Sequence, residues 1–219
     1  MQTSVIGSIL SVNVGQPRLV PLGNNTVATA IFKSPVETTV AVRAHNLAGD
    51  RQADLRVHGG PYKAVYLYPS EHYPFWQEQL EVSDLPFGYF GENLTTSGFT
   101  EEGVCIGDQF RVGTAILQVT QPRMPCYKLN LRVGRNDMVK RFWLSMRSGI
   151  YFSIAKEGEL TRGDAVEKIA DGPERVTIAD VVGLYIGKEW NADLLARALR
   201  SPLHGSWKQD IESRLTERA

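Results

Sequence analysis

Two hydrophobic periods divide this chain, and they meet near Pro173. Before it, short runs with strand character alternate with turn residues: Ser4 to Val14, Arg18 to Leu22, Thr26 to Phe32, Thr39 to Arg43, Ala64 to Tyr68, Gln109 to Val112, Ala115 to Thr120 and Gly149 to Ala155. Many short strands so spaced predict a barrel or a folded sheet. Asn24-Asn25 and Val112-Gly113-Thr114 are expected hairpin connections, because Asn and Gly tolerate the positive φ of tight turns. Two helices are expected within this region. One lies near Ser70 to Leu80, where Pro74 weakens the expectation, and one near Asn136 to Met146, with Met138, Phe142, Leu144 and Met146 as its buried stripe.

After Pro173 the spacing turns helical. Thr177 and Asp180 form a capping-box start for Ile178, Val181, Val182 and Tyr185. Asn191 caps a second helix carrying Leu194, Leu195, Ala198 and Leu199, and a third runs from about Ser206 with Trp207, Ile211 and Leu215 on one face. Helices this short do not hold a core alone. Together with Trp190 they are expected to cover the main domain or to make a homodimer. The expected class is therefore mainly β with helices (α+β), with a barrel domain over residues 1–172 and a small three-helix domain over 173–219.

Composition narrows the partners. The 24 Lys and Arg balance 24 Asp and Glu, so no bulk cationic field favours a nucleic-acid polymer. The first residues do not pattern as an export signal, and no apolar run approaches the roughly 20 residues that span a bilayer. Two cysteines in 219 residues, without CxxC spacing, argue against a disulfide framework and a tetrahedral zinc site, and place the chain in a reducing cytoplasm.

Three segments carry chemistry. In Gln121-Pro122-Arg123-Met124-Pro125-Cys126-Tyr127-Lys128 a thiol follows two prolines, and Arg123 and Lys128 favour its thiolate. Cys126 reads either as a reactive or metal-binding sulfur or as a small buried hydrophobe. Cys105, among aliphatic residues before a Gly-Asp turn, reads as structural at the end of a buried strand. In the second segment, His58-Gly59-Gly60 with Lys63 offers an anion cradle or simply a Gly-rich turn; it lacks the Walker and GxGxxG spacings. The third, Gly91-Glu92-Asn93-Leu94, pairs a carboxylate with an amide.

Taken in order with Phe32-Lys33-Ser34-Pro35-Val36, Gly49-Asp50 through Asp54, and Gly107-Asp108, these segments resemble the MOSC domain family, named for its occurrence in molybdenum cofactor sulfurases, and most closely its YiiM branch. The three helices after Pro173 resemble the small C-terminal domain of that branch. The resemblance implies a MOSC-type β-barrel that binds the molybdenum cofactor (molybdenum on a molybdopterin dithiolene), with Cys126 as the protein's metal ligand. It further implies reduction of N-hydroxylated compounds and base analogues, such as 6-N-hydroxylaminopurine, to amines, with electrons from a separate flavin-containing reductase. On that footing Lys33, Asp54, His58, Gly59, Gly60, Lys63, Arg123 and Cys126 bind the cofactor. Cys126 and Arg123 act at the metal, Glu92 is the expected proton donor and Asn93 its hydrogen-bonding neighbour. Persulfide sulfur transfer through Cys126 and non-catalytic carriage of the pterin are the alternatives.

Overall fold

The computed structural model describes residues 4–55, 58–188 and 191–216. Trp190 and the side chain of Leu215 lie outside the described residues. Strands β1 (Ser4–Val14), β7 (Val65–Pro69), β8 (Leu94–Ser97), β9 (Gln109–Val112), β10 (Ala115–Pro122), β11 (Ile150–Lys156) and β13 (Ala165–Ala170) form a closed ring in the order β13-β9-β10-β11-β7-β8-β1. Pairing of β1 with β13 completes the barrel, and β7 with β8 is its parallel pair. A hairpin of β2 (Arg18–Leu22) and β3 (Asn25–Thr29), the short β4 (Ser34–Val36) on β1, and a small sheet of β5 (Val40–Arg43), β6 (Asn46–Leu47) and β12 (Gly158–Leu160) decorate it.

The long first strand serves three neighbours in turn. Its start pairs with β13, its middle with β8 and its end with β4, with register shifts between Val5 and Gly7 and between Ile9 and Ser11. Such bulges bend a strand, which is what ring closure requires. At Gly7 only glycine fits, since a Cβ there would stand 2.0 Å from the Ser97 carbonyl oxygen.

The barrel interior is aliphatic and aromatic, with Ile9, Leu67, Phe110, Leu117 and Phe152 buried. A second, aromatic cluster lies under helices α1 (Tyr73–Leu80), α2 (Tyr127–Val133) and α3 (Met138–Ser145), built on Tyr66, Tyr68, Trp76, Phe90 and Phe142. Pro74 does no damage to α1, because it sits in the first turn, where its missing N–H has no helical partner to lose.

Helices α4 (Ile178–Ile186), α5 (Ala192–Arg200) and α6 (Gly205–Thr216) follow, the first opened by the Thr177/Asp180 capping box. Ile178, Val181, Leu184, Trp207 and Ile211 belong to the same apolar cluster as the barrel interior. Trp207 is 1% exposed, with its ring against Tyr185 and Trp143. No helix among the described residues is long and apolar enough to cross a membrane.

Several local expectations shift. The first hairpin turns at Gly23-Asn24, because Leu22 pairs with Asn25 and Gly23 supplies the positive φ. The run expected through Phe32 stops at Thr29, leaving Ala30–Lys33 as coil. Cys105 is buried but in a turn, bridging Thr177 singly, with its N–H held by Asp108. Helix α2 and strands β8 and β13 have no counterpart in the sequence reading. Leu-Thr-Thr-Ser and Ala-Val-Glu-Lys-Ile-Ala are short and half polar, and their neighbours rather than their own periodicity make them strands.

Candidate functional site

A cleft of about 590 Å³, counting the part open to solvent, lies beside the barrel. Its walls come from the coil after β3, from Arg51, Gln52 and Ala53, from His58, Gly59 and Lys63, and from Arg123, Cys126 and Lys128 after β10, with Tyr66, Gly91, Asn93 and Tyr151 between them. Among the described residues, Lys33, Arg51, Lys63, Arg123 and Lys128 line it and no carboxylate does. In a chain of zero net charge, that is a strongly local positive field.

Cys126 stands half-buried in this wall, extended (φ −129°, ψ 171°) immediately before α2. Its Sγ lies 3.5 Å from Nε2 of His58. Burial, then the charges of Lys128, Lys63 and Arg123, lower the His58 pKa to about 4, with Asp54 opposing them. The imidazole is neutral near pH 7, and its buried Nδ1 has no hydrogen-bond partner among the described residues. Burial also lowers the Lys63 pKa, and the neighbouring Cys126 raises it. Arg123 is buried, donates to the Phe90 carbonyl, and holds its guanidinium 4.7 Å from the Tyr66 ring centroid.

The cradle's backbone is the kind only glycine adopts easily. Gly59 and Gly60 have φ of 88° and 83°, and a Cβ on Gly59 would press to 3.0 Å from Gln52. The Asp54 carbonyl accepts the His58 N–H at 2.9 Å, closing this loop, but Asp54 does not line the cleft.

Behind the wall sits Asp50, fully buried. It accepts Lys33 Nζ at 2.6 Å, the Gly15 N–H at 2.8 Å and Asn93 Nδ2 at 2.9 Å. Asn93 Oδ1 in turn accepts the Tyr66 N–H at 3.1 Å. Burial lowers the Lys33 pKa, and Asp50 opposes the shift. Asp50 is thus the common anchor of two wall residues, a role the sequence reading does not assign it.

Glu92 is not on the wall. It is 0% exposed and accepts the Tyr73 hydroxyl, Thr95 Oγ1 at 3.0 Å, and the N–H groups of Gly88 at 2.8 Å and Phe90 at 3.1 Å. Burial pushes its pKa up, while these hydrogen bonds pull it down. The structure therefore brings Lys33, His58, Gly59, Lys63, Asn93, Arg123 and Cys126 together and leaves Asp54 and Glu92 behind as supports. Gly60 adjoins the wall without lining it. Tyr66, Tyr151, Arg51 and Gln52 also line the cleft, although none of them is among the expected site residues.

The MOSC domain matches residues 54–167, a stretch that carries the cradle, Cys126 and most of the barrel. This chain belongs to the MOSC domain family. Among its MOSC relatives, the uncharacterized protein YflK of Bacillus subtilis is 40% identical over 92% of this chain and 91% of its own length. Protein YiiM of Escherichia coli is 35% identical over 85% and 84%. A Gibberella moniliformis protein named "Reductase" is 32% identical over 90% of this chain, which spans only 35% of that protein. The crystal structure of YiiM from Geobacillus stearothermophilus superposes with a TM-score of 0.79 at 34% identity, covering 95% of this chain and 99% of the other. The MOSC fold is therefore shared over nearly the whole length, helical tail included.

Proposed function

We propose that this protein is a molybdenum-cofactor-dependent oxidoreductase that reduces N-hydroxylated small molecules, such as 6-N-hydroxylaminopurine, to amines. The observation that carries this reading is a half-buried thiol, Cys126, set in a cleft whose wall, among the described residues, holds five cations and no carboxylate. A soft thiolate suits a metal already held by sulfur, and a cationic wall suits an anionic pterin phosphate. The unpartnered Nδ1 of His58, an acceptor when Nε2 faces the thiolate, fits a ligand N–H or O–H donor rather than the phosphate.

When bound, the cofactor supplies the two electrons that, with two protons, convert R–NHOH to R–NH2 and water. The residues have separable tasks. Cys126 Sγ anchors the metal. Gly59 and Gly60 let the backbone approach an anion, with Lys63 and Lys33 adding charge and His58 fixing the thiolate. Arg123, locked by Phe90 and Tyr66, offsets negative charge beside the sulfur ligands. Asn93 shapes the wall through Asp50 and Tyr66. Glu92, enclosed by four donors, braces the Gly88–Phe90 turn, so protons reach the substrate through solvent in the open cleft rather than from this carboxyl.

On the same reading the electrons come from a separate flavin-containing reductase, the donor that the family resemblance implies. The name of the Gibberella relative supports reduction as the direction of the reaction.

The test is reduction of an N-hydroxylated purine with an artificial electron donor, using protein from cells able and unable to make the molybdenum cofactor. Turnover and about one molybdenum per chain are expected from the first source only. A protein that carries labile sulfane sulfur instead is a sulfur-transfer protein, and one that carries pterin without turnover is a carrier.

A further inference from the structure

We infer that His204 is a positioning residue: from the loop between α5 and α6 it braces Tyr62, and through Tyr62 the turn that carries Lys63. The contact is between rings, whose centroids lie 4.8 Å apart with their planes at 66°. Tyr62 belongs to the short 3-10 turn Pro61–Lys63, which Gly60 opens and whose last residue lines the cleft. The helical tail thus touches the cradle directly.

His204 is fixed from its own side. Leu203 before it and Trp207 after it are buried in the apolar cluster that barrel and tail share. Its carbonyl accepts the Trp207 N–H at 3.0 Å and its Nδ1 accepts the Ser206 N–H at 3.3 Å, so the residue starts α6. Burial, and then the charge of Lys63, lower its pKa, in keeping with Nδ1 as an acceptor.

Tyr62 is the less secured partner. Thr120 Oγ1 donates to its carbonyl at 2.7 Å, but the residue is 46% exposed, and the two positions before the turn are glycines at positive φ, which lend no stiffness. A second cavity, about 680 Å³ with its open part, lies here between tail and barrel, lined by Tyr62, Thr120, Ser153 and His204. Neither ring belongs to the apolar core, so core burial does not account for their contact. An edge-on aromatic pair has a preferred geometry, which suits a brace. Lys63 and His58 flank the braced turn, and both lie near Cys126.

The link to the cofactor rests on the proposed function, whereas the brace does not, and the test separates them. His204→Asn keeps an acceptor for the start of α6 and removes the ring; His204→Phe keeps a ring and loses the acceptor. Amide exchange in the cofactor-free protein is followed at Lys63, whose N–H is bonded to the Gly60 carbonyl, and at Ala64, whose N–H is bonded to Phe152 in the barrel. His204→Asn and Tyr62→Ala should each lower the Lys63 protection factor roughly twofold to tenfold, the double variant no further, and His204→Phe not at all. Ala64 and the urea midpoint of His204→Asn should not move. After dialysis, protein from cofactor-making cells should hold less pterin as His204→Asn than as wild type or His204→Phe.

Unchanged Lys63 protection in His204→Asn, or additive losses in the double variant, overturns the inference. So does a matching fall at Ala64 or in the urea midpoint, which would make the effect global. Equal loosening in His204→Phe would trace it to the start of α6 instead and overturns the brace as well. A loosened Lys63 with full pterin retention overturns the link to the cofactor alone. Wild-type protein that holds no pterin, with the expected exchange pattern, sinks the cofactor reading and leaves the brace standing.

Discussion

Sγ of Cys126 and Nε2 of His58 stand 3.5 Å apart, joined across 68 residues of sequence. The contact fixes a tautomer. A metal-bound thiolate only accepts, so Nε2 must carry the proton and Nδ1 is left as an acceptor; in the free thiol the roles reverse. His58 thus reports the state of Cys126.

The depressed His58 pKa makes the cofactor-free protein acid-sensitive. The folded value, about 4, lies below the ordinary 6.5, so on acidification the unfolded chain takes up this proton first. The contribution is complete above pH 6.5 and drains away as pH falls towards about 4. Burial, and then the charges of Lys128, Lys63 and Arg123, set this direction, with Asp54 opposing. Urea midpoints across that window should fall less steeply in His58→Gln than in wild type. Parallel slopes would assign the acid sensitivity elsewhere.

Cys126→Ser should abolish turnover and molybdenum content while leaving the circular dichroism spectrum unchanged. A hydroxyl is a poor soft ligand, and the side chain is only half-buried. The loss should exceed the roughly 10- to 100-fold cost of altering a supporting residue. Full turnover with metal bound in this variant removes Cys126 from the metal.

Asp50→Asn strips the counter-charge from buried Lys33 and disturbs the bond to Asn93. Breaking a buried pair from one side costs about 3–5 kcal/mol. That loss should appear in denaturant unfolding, with pterin retention falling as Lys33 and Asn93 lose their anchor. A variant within about 1 kcal/mol of wild type would show that water reaches and screens this pair.

Glu92→Gln separates bracing from proton donation. The amide nitrogen cannot accept the hydrogen bonds that one carboxylate oxygen takes, so stability should drop by about 1–3 kcal/mol. The pH dependence of turnover in the folded fraction should be unchanged. If stability holds and turnover collapses, Glu92 returns as the proton donor.

Trp207 lines no part of the cleft, yet Trp207→Ala should cost about 3–5 kcal/mol, because the ring is enclosed by barrel and tail together. Truncation after Gly172 removes Val176, Ile178, Trp207 and Ile211 from that shared cluster and should yield insoluble protein. A soluble, cooperatively folded truncation would show that the barrel core closes without the tail.

Periodicity and turn chemistry alone determined much of this protein. Alternating runs marked the main barrel strands, the Thr177/Asp180 box started α4 where expected, and the glycines at 59 and 60 marked a backbone that needs positive φ. These are local properties, written within a few residues. The order of Cys126, the cradle and Gly91 through Leu94 also sufficed to identify the family.

Only the tertiary structure decided which chemical groups meet. Asp50 has no role in the sequence reading until the fold brings Lys33 and Asn93 to it; Glu92 reads as a donor until four hydrogen bonds enclose it. Strands β8 and β13 exist because barrel neighbours pair with them, and α2 follows Cys126 without a capping side chain. Burial and charge pairing are long-range quantities, fixed by residues tens of positions away, and no local pattern encodes them.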